Sequence, residues 1–540
     1  MKVILEQKIR EAISAIQEEG VLPVFDIPEI HIERPKDEQF GEYTTNIALM
    51  VAKVAGKNPR EIAEKIIGQL TKNNQQEKMF EKIEAAGPGH LNFYLSQGVL
   101  GSVLSSVLEK GKDFGNLDFG RGIKINNEFI SANPTGPLHL GNARGGFLGD
   151  TLSRVLRKAG YEVTNEYYVN DAGEQIVKLG HSVLKDSEAV YGGEYIEALH
   201  EQLVANNKEK NPDAWEVGRT AANIVLEQHI KKTLAEKMNV PFELFVSERK
   251  NIIEGGYVDK AIDMLKEKKM VYENEGALWL RTTDFDDDKD RVLVKGDGTK
   301  TYFASDCGYL LYKMERGFQV LLLTLGADHH GYVARMQAAA KALGFSGEMK
   351  FFLVQLVKLV KDGQEVRMSK RAGNIVTIDE LIERVGYDVA RFFFLMYAPE
   401  THMSFDLGLA EEHSAKNPVF YVEYAHARLA SILRKAEEEG YANEDGDASL
   451  LVHPKERALL REISFFPELV EMVAREYTVQ RLPQYAIRLA DTLHSFYDTC
   501  RVIDEKERPL TLARLRLIRS AKIVLGETLN MMGIEAPEKM

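Results

Sequence analysis

The pattern of hydrophobic and polar positions changes twice along the chain, and these changes divide it into three predicted regions. Residues 1–115 open with helical spacing of apolar residues in MKVILEQKIREAI and close with strand-like alternation in HLNFYL, which predicts a small α/β domain. Residues 120–405 alternate strand-like runs, such as GIKINNEFI and VLLLTL, with helical patterns, which indicates a doubly wound parallel sheet. Within it, the polar segment at about 175–255 is a predicted helical insertion. Residues 406–540 carry only helical stripes and predict an all-helical domain.

Composition narrows the class of protein. With 540 residues, 44% hydrophobic and 28% charged, the chain has the make-up of a globular protein of several domains. Cys307 and Cys500 form no C-x-x-C pair, which disfavours structural zinc or a disulfide framework and predicts a reducing compartment. No signal peptide or bilayer-length apolar run is recognisable, so we predict a cytoplasmic protein without a membrane partner. The net charge of −13 excludes a small basic nucleic-acid-binding module but not an RNA partner that contacts clustered cations.

Proline, glycine and histidine crowd together in Ser131–Leu148, SANPTGPLHLGNARGGFL. Pro134 disfavours helix at the residue before it, so the preceding strand should stop there. Thr135 or Gly136 is the predicted N-cap of the following helix, with Pro137 at its first position, where a missing N–H costs nothing.

The same stretch has the features of a nucleotide cradle. His139 falls in the first helical turn, and Asn142 shares its face. A helix N-terminus attracts phosphate, while Gly141 and Gly145 leave room for a flat base. A lone histidine here is more often a cap or a core residue, and the G-x-G-x-x-G spacing of a dinucleotide site is absent. The combination of strand, P-T-G-P turn, histidine and glycines nevertheless favours nucleotide binding.

A second candidate lies in VKLVKDGQEVRMSKRAGNIVTIDEL. Asp362 and Gly363 separate two apolar alternations, which predicts a hairpin. Thr377 and Glu380 predict a capping box at the start of the next helix. The loop between them suits a mobile clamp on a developing pyrophosphate, although a solvated basic turn has the same composition. Its cations are Arg367, Lys370 and Arg371.

Two further stretches carry candidate substrate-binding groups. In TYFASDCGY, Tyr302 and Asp306 lie four residues apart on one face of a predicted helix, and a carboxylate with a nearby aromatic ring suits a guanidinium group. The alternative is that Asp306 is an exposed acid on the helix surface with no binding role. In GADHHGYVARMQAA, Asp328 and two histidines follow a predicted strand, where doubly wound sheets bind ligands. No further candidate ligand follows at a spacing that suits zinc, so we predict no metal ion held by the protein.

These motifs resemble those of a known family. LHLGN is similar to the H-I-G-H signature of class I aminoacyl-tRNA synthetases, and ANPTGPLHLGNARG resembles its arginyl-tRNA synthetase form. RMSK resembles the K-M-S-K-S element, with Arg367 in place of the first lysine and Lys370 as the second. Asn142 stands where the family has its second histidine, which weakens any electrostatic role there because an amide carries no charge. FGEYTTNIALMVAK resembles the family's N-terminal, tRNA-elbow-contacting domain, and NPVFYVEYAHARLASILRKA its anticodon-binding domain.

The resemblance implies a Rossmann-like catalytic domain and an arginine–tRNA ligase activity. The expected ligands are ATP, Mg²⁺, L-arginine and an arginine-specific tRNA, and the expected state is a monomer. The implied catalytic residues are His139, Asn142, Lys370 and Arg367. The implied ATP-binding residues are Pro134, His139, Gly141, Asn142, Asp328, Met368, Ser369 and Lys370. The implied arginine-binding residues are Glu128, Ser131, Asn133, Asn142, Tyr302, Asp306 and Gln337.

The C-terminal region supplies candidate RNA contacts, each with a structural alternative. Aromatic side chains could stack on unpaired bases or belong to the core, and the cations could bind phosphate or form a solvated helix face. These residues are Tyr421, Tyr424, Tyr477, Tyr485, Arg514, Arg516, Arg519 and Lys522. Two rival functions stay open: a class I ligase for glutamine or glutamate, disfavoured by the FGEYTTNIAL block, and a non-catalytic tRNA-binding relic, disfavoured by His139 and Lys370.

Overall fold

The structure is a computed structural model, and it describes residues 1–35, 37–205, 213–329, 331–366, 376–441 and 445–540. Within these ranges, no helix combines the length and the apolar character needed to cross a membrane.

The N-terminal part packs helices on one antiparallel sheet. Its four strands lie in the order β1-β2-β4-β3, and its apolar side chains form a separate hydrophobic cluster. The α/β architecture predicted for this part is confirmed, whereas the exact domain boundaries stay a prediction. The elements are α1 (Lys2–Glu18), β1 (Ile32–Glu33), β2 (Tyr43–Thr45), α2 (Ile47–Ala55), α3 (Pro59–Glu77), β3 (Phe80–Ala86), β4 (His90–Leu95) and α4 (Gln97–Lys110).

A five-stranded parallel sheet forms the centre of the molecule, which confirms the doubly wound prediction. Its strands are β5 (Lys124–Glu128), β6 (Glu162–Val169), β7 (Leu244–Ser247), β11 (Val320–Gly326) and β12 (Glu348–Val354). They lie in the order β12-β11-β5-β6-β7. β6 and β7 extend the sheet on one side of β5, whereas β11 and β12 extend it on the other, so the topological switch point lies between β5 and β11. Ligands bind at such switch points, beyond the carboxyl ends of the strands.

The predicted helical insertion contains a strand that sequence analysis missed. β7 lies inside 175–255 and pairs in parallel with β6. It spans only four residues, of which Val246 alone is buried, so its apolar run is too short to mark it as a strand. The helices here are α6 (Glu174–Leu184), α7 (Glu194–His200) and α8 (Ala214–Ile224), with π-helical segments at Glu201–Ala205, Val225–Ile230, Thr233–Lys237 and Glu248–Ile253.

The remaining catalytic-region elements flank the central sheet. A small antiparallel sheet in the order β10-β9-β8 precedes α10. The elements are α5 (Leu140–Lys158), α9 (Tyr257–Glu267), β8 (Val271–Asn274), β9 (Ala277–Leu280), β10 (Arg291–Val294), α10 (Tyr302–Glu315), α11 (Tyr332–Leu343), α12 (Ile378–Val385) and α13 (Tyr387–Leu395).

A second three-stranded sheet carries the hairpin before RMSK. The apolar run FFLVQLVKLV contains two strands. The first is β12 of the central sheet, whereas β13 (Val357–Lys361) pairs with β14 (Gln364–Glu365) and β15 (Met403–Asp406). The predicted hairpin turn is confirmed. Asp362 and Gly363 have φ values of 52° and 75°, and a two-residue turn with both φ positive matches the twist of its strands.

The described C-terminal part after β15 is helical throughout, as predicted. Its helices are α14 (Leu407–Ala410), α15 (Pro418–Glu438), α16 (Pro454–Glu476), α17 (Arg481–Thr499) and α18 (Arg508–Met531). Their buried faces join the same hydrophobic cluster as α5 and the central sheet. The helical part is therefore packed directly on the central sheet.

Candidate active site

The turn between β5 and α5 differs from its predicted form. Helix α5 begins at Leu140, and His139 is its N-cap, so the predictions of a cap at Thr135 or Gly136 and of helical Pro137 are wrong. His139 has φ −105° and ψ 174°, an extended conformation. The backbone at Leu138 and His139 is drawn into pairing with another segment, which delays the helix by several residues.

Two hydrogen bonds to the first turn of α5 hold His139 in place. The His139 Nδ1 accepts a hydrogen bond from the Gly141 N–H at 3.1 Å, and the Asn142 Oδ1 accepts one from the His139 N–H at 3.1 Å. Loss of hydration in the cleft lowers the pKa of His139, although part of its ring stays exposed. A neutral ring whose Nδ1 accepts must carry its proton on Nε2. His139 therefore offers an N–H donor to a ligand.

The pairing partner of this turn is the start of α12. His139 and Thr377 form an antiparallel β-bridge, and the Ile378 N–H donates to the Leu138 carbonyl at 3.1 Å. The predicted capping box of Thr377 and Glu380 is confirmed. The bridge fixes Thr377, the N-cap of α12, against the histidine turn. The loop itself, with the predicted residues Arg367, Met368, Ser369 and Lys370, lies outside the described residues.

Arg144 connects the segment before β13 to the segment before β15. Its fully buried guanidinium donates to the carbonyls of Gln355, Ala398 and Thr401 at 2.9, 2.7 and 2.8 Å. Gln355 lies in the link from β12 to β13, and the other two carbonyls precede β15. Arg144 stands in the motif LHLGNARG, yet its role was not predicted, because the sequence does not reveal three distant carbonyls as partners.

The residues just after β5 are held in an unusual conformation. Ile130 and Ser131 have φ values of 67° and 39°, which is rare for a β-branched residue and marks local strain. The Ser131 hydroxyl accepts the Tyr168 N–H at 3.0 Å, and the Tyr167 hydroxyl donates to the Ala132 carbonyl at 2.8 Å. These bonds join the predicted substrate residue Ser131 to the carboxyl end of β6.

An acidic pocket lies at this end of the sheet. Burial raises the pKa of Asp306 to about 7, against the opposing effects of a Tyr332 hydrogen bond and of Arg335. Burial also raises the pKa of Glu248 to about 7, and the charges of Asp306 and Asp171 add to this shift. Two carboxyl groups with such raised pKa values are poised to receive a cation, because a cation relieves the cost of ionising them. Glu248 was not predicted as a site residue.

A buried ion-pair network supports Glu128. The Glu128 Oε2 accepts from the Tyr309 hydroxyl at 3.0 Å and from the Lys313 ammonium at 2.5 Å. Glu166, on β6, pairs with Lys313 at 3.6 Å and with Arg316 at 2.5 Å. Tyr309 and Lys313 continue the face of α10 that carries Tyr302 and Asp306, so extending that spacing in the sequence would have indicated them as further site residues. The network orients the Glu128 carboxylate at the end of β5.

The other predicted site residues have the following exposure and contacts. Tyr302 is 67% exposed, with its hydroxyl next to Gly173, where an added Cβ would lie 3.0 Å from it. Gln337 is half-buried on α11, and Asp328 is exposed in a 3₁₀ turn after β11. Asn133 accepts the Thr135 N–H through its carbonyl at 2.8 Å, and Pro134 is buried beside it.

The predicted cations of α18 are engaged within the chain. Arg514 pairs with Glu456 at 2.7 Å, and Lys522 pairs with Glu538 at 2.7 Å. Arg516 contacts Asp445 at 3.2 Å, and Arg519 donates to the Tyr441 carbonyl. These contacts favour a structural role over phosphate binding.

The predicted stacking residues separate into core and surface. Tyr485 is buried and donates to the Glu462 carbonyl, whereas Tyr477 and Tyr421 are half-buried and bonded to acids. Tyr424 is 48% exposed and stacks on His494 at 6.1 Å. The Arg428 guanidinium lies 5.8 Å from the Tyr424 ring and 3.8 Å from that of Tyr497. Tyr424, Arg428, His494 and Tyr497 form what we call the aromatic surface.

The chain is similar to known proteins along its whole length. Three family models match: the arginyl tRNA synthetase N terminal domain over residues 4–95, the catalytic domain of class I (R) tRNA synthetases over 103–391, and the DALR anticodon binding domain over 422–540. The arginine–tRNA ligase of Bacillus subtilis (strain 168) is 43% identical over 100% of this chain and 99% of its own length. That of Listeria welshimeri is 42% identical with the same coverage.

A solved structure extends the likeness to the fold. The arginyl-tRNA synthetase of Thermus thermophilus aligns over 100% of both chains with a TM-score of 0.78 at 24% identity. The family models cover most of the chain in the order of its three structural parts, and the bacterial relatives align from end to end. The chain belongs to the arginyl-tRNA synthetase family, within the class I aminoacyl-tRNA synthetases.

Proposed function

We propose that this chain is an arginine–tRNA ligase. It activates L-arginine with ATP, giving arginyl-adenylate and pyrophosphate, and then transfers arginine to the 3′-terminal adenosine of its tRNA. The observation that carries the proposal is the bridge between His139 and Thr377, which joins the nucleotide turn to the RMSK segment. It lies at the same edge of the sheet as the acidic pocket of Asp306 and Glu248.

Activation requires charge to be stabilised on the phosphates. The arginine carboxylate attacks the α-phosphorus of ATP, and pyrophosphate leaves. We assign the His139 Nε2–H as a donor to these phosphates, since its Nδ1 is already bonded to Gly141. Asn142, whose Oδ1 is held by the His139 N–H, keeps its amide N–H groups for a ligand. Lys370 and Arg367 would add cations to the pyrophosphate, with Met368 and Ser369 beside the nucleotide.

The remaining nucleotide contacts follow from the edge of the sheet. We assign Pro134 and Gly141 to the adenosine side of the turn, and Asp328 to the ribose side after β11. Mg²⁺ would enter with ATP, because it keeps several waters and is held largely by phosphate oxygens.

Recognition of arginine is assigned to the acidic pocket. Asp306 pairs with the guanidinium, and Tyr302 and Gln337 border it. Glu128, oriented by Tyr309 and Lys313, takes the α-amino group, with Ser131 and Asn133 next to it. A site built to bond a guanidinium rejects analogues that lack it by roughly 10⁴-fold or more, because the buried acids would be left unpaired.

Transfer then requires the tRNA to be positioned. The terminal ribose hydroxyl attacks the activated carbonyl carbon, and AMP leaves. The aromatic surface offers exposed rings beside a guanidinium, the combination on which unpaired bases stack. We assign it to bases of the anticodon loop. A cytoplasmic, monomeric enzyme is the expected form.

Aminoacylation assays with each of the amino acids and bulk tRNA test the proposal. We expect attachment of arginine alone, dependent on ATP. Attachment of glutamine or glutamate would instead establish the rival ligase. A protein that binds tRNA but attaches no amino acid would be the non-catalytic relic.

A further inference from the structure

Glu248 reaches the acidic pocket through the pairing of two strand ends. Val169, the last residue of β6, lies in register with Ser247, the last residue of β7. The next residues of the two strands, Asn170 and Glu248, therefore leave the sheet side by side. Glu248 is only 5% exposed. A carboxylate buried to this extent needs hydrogen-bond donors from the protein.

Asn170 supplies such a donor. With its amide oriented to satisfy both neighbours, its N–H₂ group donates to the Glu248 Oε2 at 2.9 Å and to the Ala172 carbonyl at 3.1 Å. A backbone carbonyl can only accept, so the bond to Ala172 fixes which end of the amide turns to this side. Asn170 therefore presents N–H groups, and not its carbonyl oxygen, to the Glu248 carboxylate.

Asp171 holds the residues on either side of Glu248. Its Oδ2 accepts from the Ser247 hydroxyl at 2.6 Å, and its Oδ1 accepts from the Arg249 N–H at 3.0 Å. Two consecutive residues after β6 thus fix three consecutive residues of the next segment. Asp171 fixes the backbone around Glu248, whereas Asn170 fixes the carboxylate itself.

The groups that face Glu248 act on its charge in opposite directions. Burial is the main cause that raises the pKa of Glu248 to about 7, and the charges of Asp306, on α10, and of Asp171 act in the same direction. A hydrogen bond with the Tyr168 side chain, on β6, acts in the opposite direction. The N–H of Asn170 acts with Tyr168, because a donor to a carboxylate favours its ionised form.

We infer that Asn170 is a positioning residue for the arginine side chain, because its N–H holds Glu248 as an oriented carboxylate that accepts from the guanidinium. A carboxylate has about four acceptor positions, so the bond from Asn170 leaves others for the ligand. The ligand that gains from this arrangement carries both a positive charge and a planar set of N–H donors. This inference rests on the proposed function and adds a residue to it that does not itself contact arginine.

The first test follows arginine recognition against pH. A hydrogen bond to an ionised group shifts its ionisation equilibrium by about tenfold or more. We expect Asn170→Ala to raise KM for arginine about tenfold at pH 6.5 but less than threefold at pH 9, where Glu248 is ionised in both proteins. At saturating arginine, kcat should change less than threefold. The ionisation of arginine itself is the same in both assays and cancels in the ratio of KM values.

Two further variants control this test. Asn116 donates to Asp113 at 3.1 Å in an exposed pair of the same chemistry outside the pocket, so Asn116→Ala should leave KM unchanged at both pH values. Asn170→Asp keeps the shape of the side chain but sets an acid against Glu248. It should shift the pH profile in the same direction as Asn170→Ala, and it repeats the test if the alanine variant does not fold.

The second test compares arginine with citrulline, which carries an uncharged urea group in place of the guanidinium. At pH 7, Asn170→Ala should raise KM for arginine about fivefold and change inhibition by citrulline less than twofold. Equal losses for the two ligands, an unchanged KM for arginine, or a KM ratio independent of pH would overturn the inference. If the wild type itself attaches no arginine, the proposed function fails instead.

Discussion

His139 and Thr377 form a β-bridge that connects two segments far apart in the sequence. Each residue is also the N-cap of a helix, His139 of α5 and Thr377 of α12. The bridge therefore sets two helix N-termini side by side. Two such N-termini concentrate N–H donors and positive potential where a triphosphate would lie.

The backbone bond beside the bridge can be removed by a proline at the first position of α12. Thr377 has φ −81° and ψ 156°, which is compatible with a following proline, and proline is favoured at the first position of a helix. Ile378→Pro deletes the N–H that donates to the Leu138 carbonyl. Ile378→Ala is the control, because it shortens the same buried side chain but keeps the backbone N–H. A hydrogen bond contributes about 0.5–1.5 kcal/mol. We expect adenylate formation to be up to about tenfold slower in the proline variant than in the alanine variant. Equal rates would contradict a role for this bond.

The structure gives His139 a structural role as N-cap, and we propose a chemical role beside it, which two variants separate. His139→Ala should lower kcat about 10²–10³-fold by loss of a donor to the phosphates, and it should also cost about 1 kcal/mol of stability through the lost cap. His139→Asn keeps a good N-cap side chain but lacks the ring Nε2–H. We expect it to unfold at the wild-type temperature while losing a comparable share of kcat. Steady-state kinetics and thermal unfolding measure the two effects, and a fully active asparagine variant would refute the donor role.

Arginine binding should release protons near neutral pH. The pKa values of Asp306 and Glu248 are raised to about 7, so at pH 7 each carboxyl is partly protonated in the free enzyme. A bound guanidinium favours the ionised forms and drives the protons off. Affinity for arginine should therefore fall as the pH is lowered from 8 to 6, by about tenfold or more. Calorimetry in buffers of different ionisation enthalpy detects the release.

The contribution of Asp306 to that release can be isolated. Asp306→Asn should bind arginine weakly and release fewer protons, with Glu248 accounting for the remainder. A heat of binding that is the same in every buffer would show that neither carboxyl changes its protonation.

The FGEY motif fastens the N-terminal part to α16. The buried Glu42 carboxylate accepts the Leu95 N–H at 2.6 Å and the Arg461 Nε–H at 2.5 Å. Breaking a buried pair by removing one charge costs about 3–5 kcal/mol. Glu42→Gln should lower the free energy of unfolding by an amount in this range.

A second carboxylate on the same part provides the matched control. Glu81 is 54% exposed and pairs with Arg457, also on α16, at 2.6 Å. Its replacement, Glu81→Gln, should cost less than about 1 kcal/mol, because solvent screens an exposed pair. Denaturant unfolding of both variants compares them. A Glu42→Gln variant as stable as Glu81→Gln would mean that the buried pair contributes nothing net.

The local sequence pattern was sufficient to predict those features whose determining residues are close together in the chain. The hairpin at Asp362 and Gly363 and the capping box of Thr377 and Glu380 form within a few residues, so turn and cap chemistry predicts them. The doubly wound sheet and the helical C-terminal part follow from apolar periodicity. The family follows from two short motifs whose residue types suit a nucleotide.

Only the tertiary structure decided what depends on distant partners. Strand β7 is too short to be recognised alone and exists because β6 lies beside it. The start of α5 moved to Leu140 because Leu138 and His139 pair with the α12 segment, a contact that no local pattern encodes. The raised pKa values of Asp306 and Glu248, and the ion pairs around Glu128, arise from burial among groups brought together by folding. Sequence specifies the local conformations and the chemical groups, whereas long-range packing sets their mutual distances and the water around them.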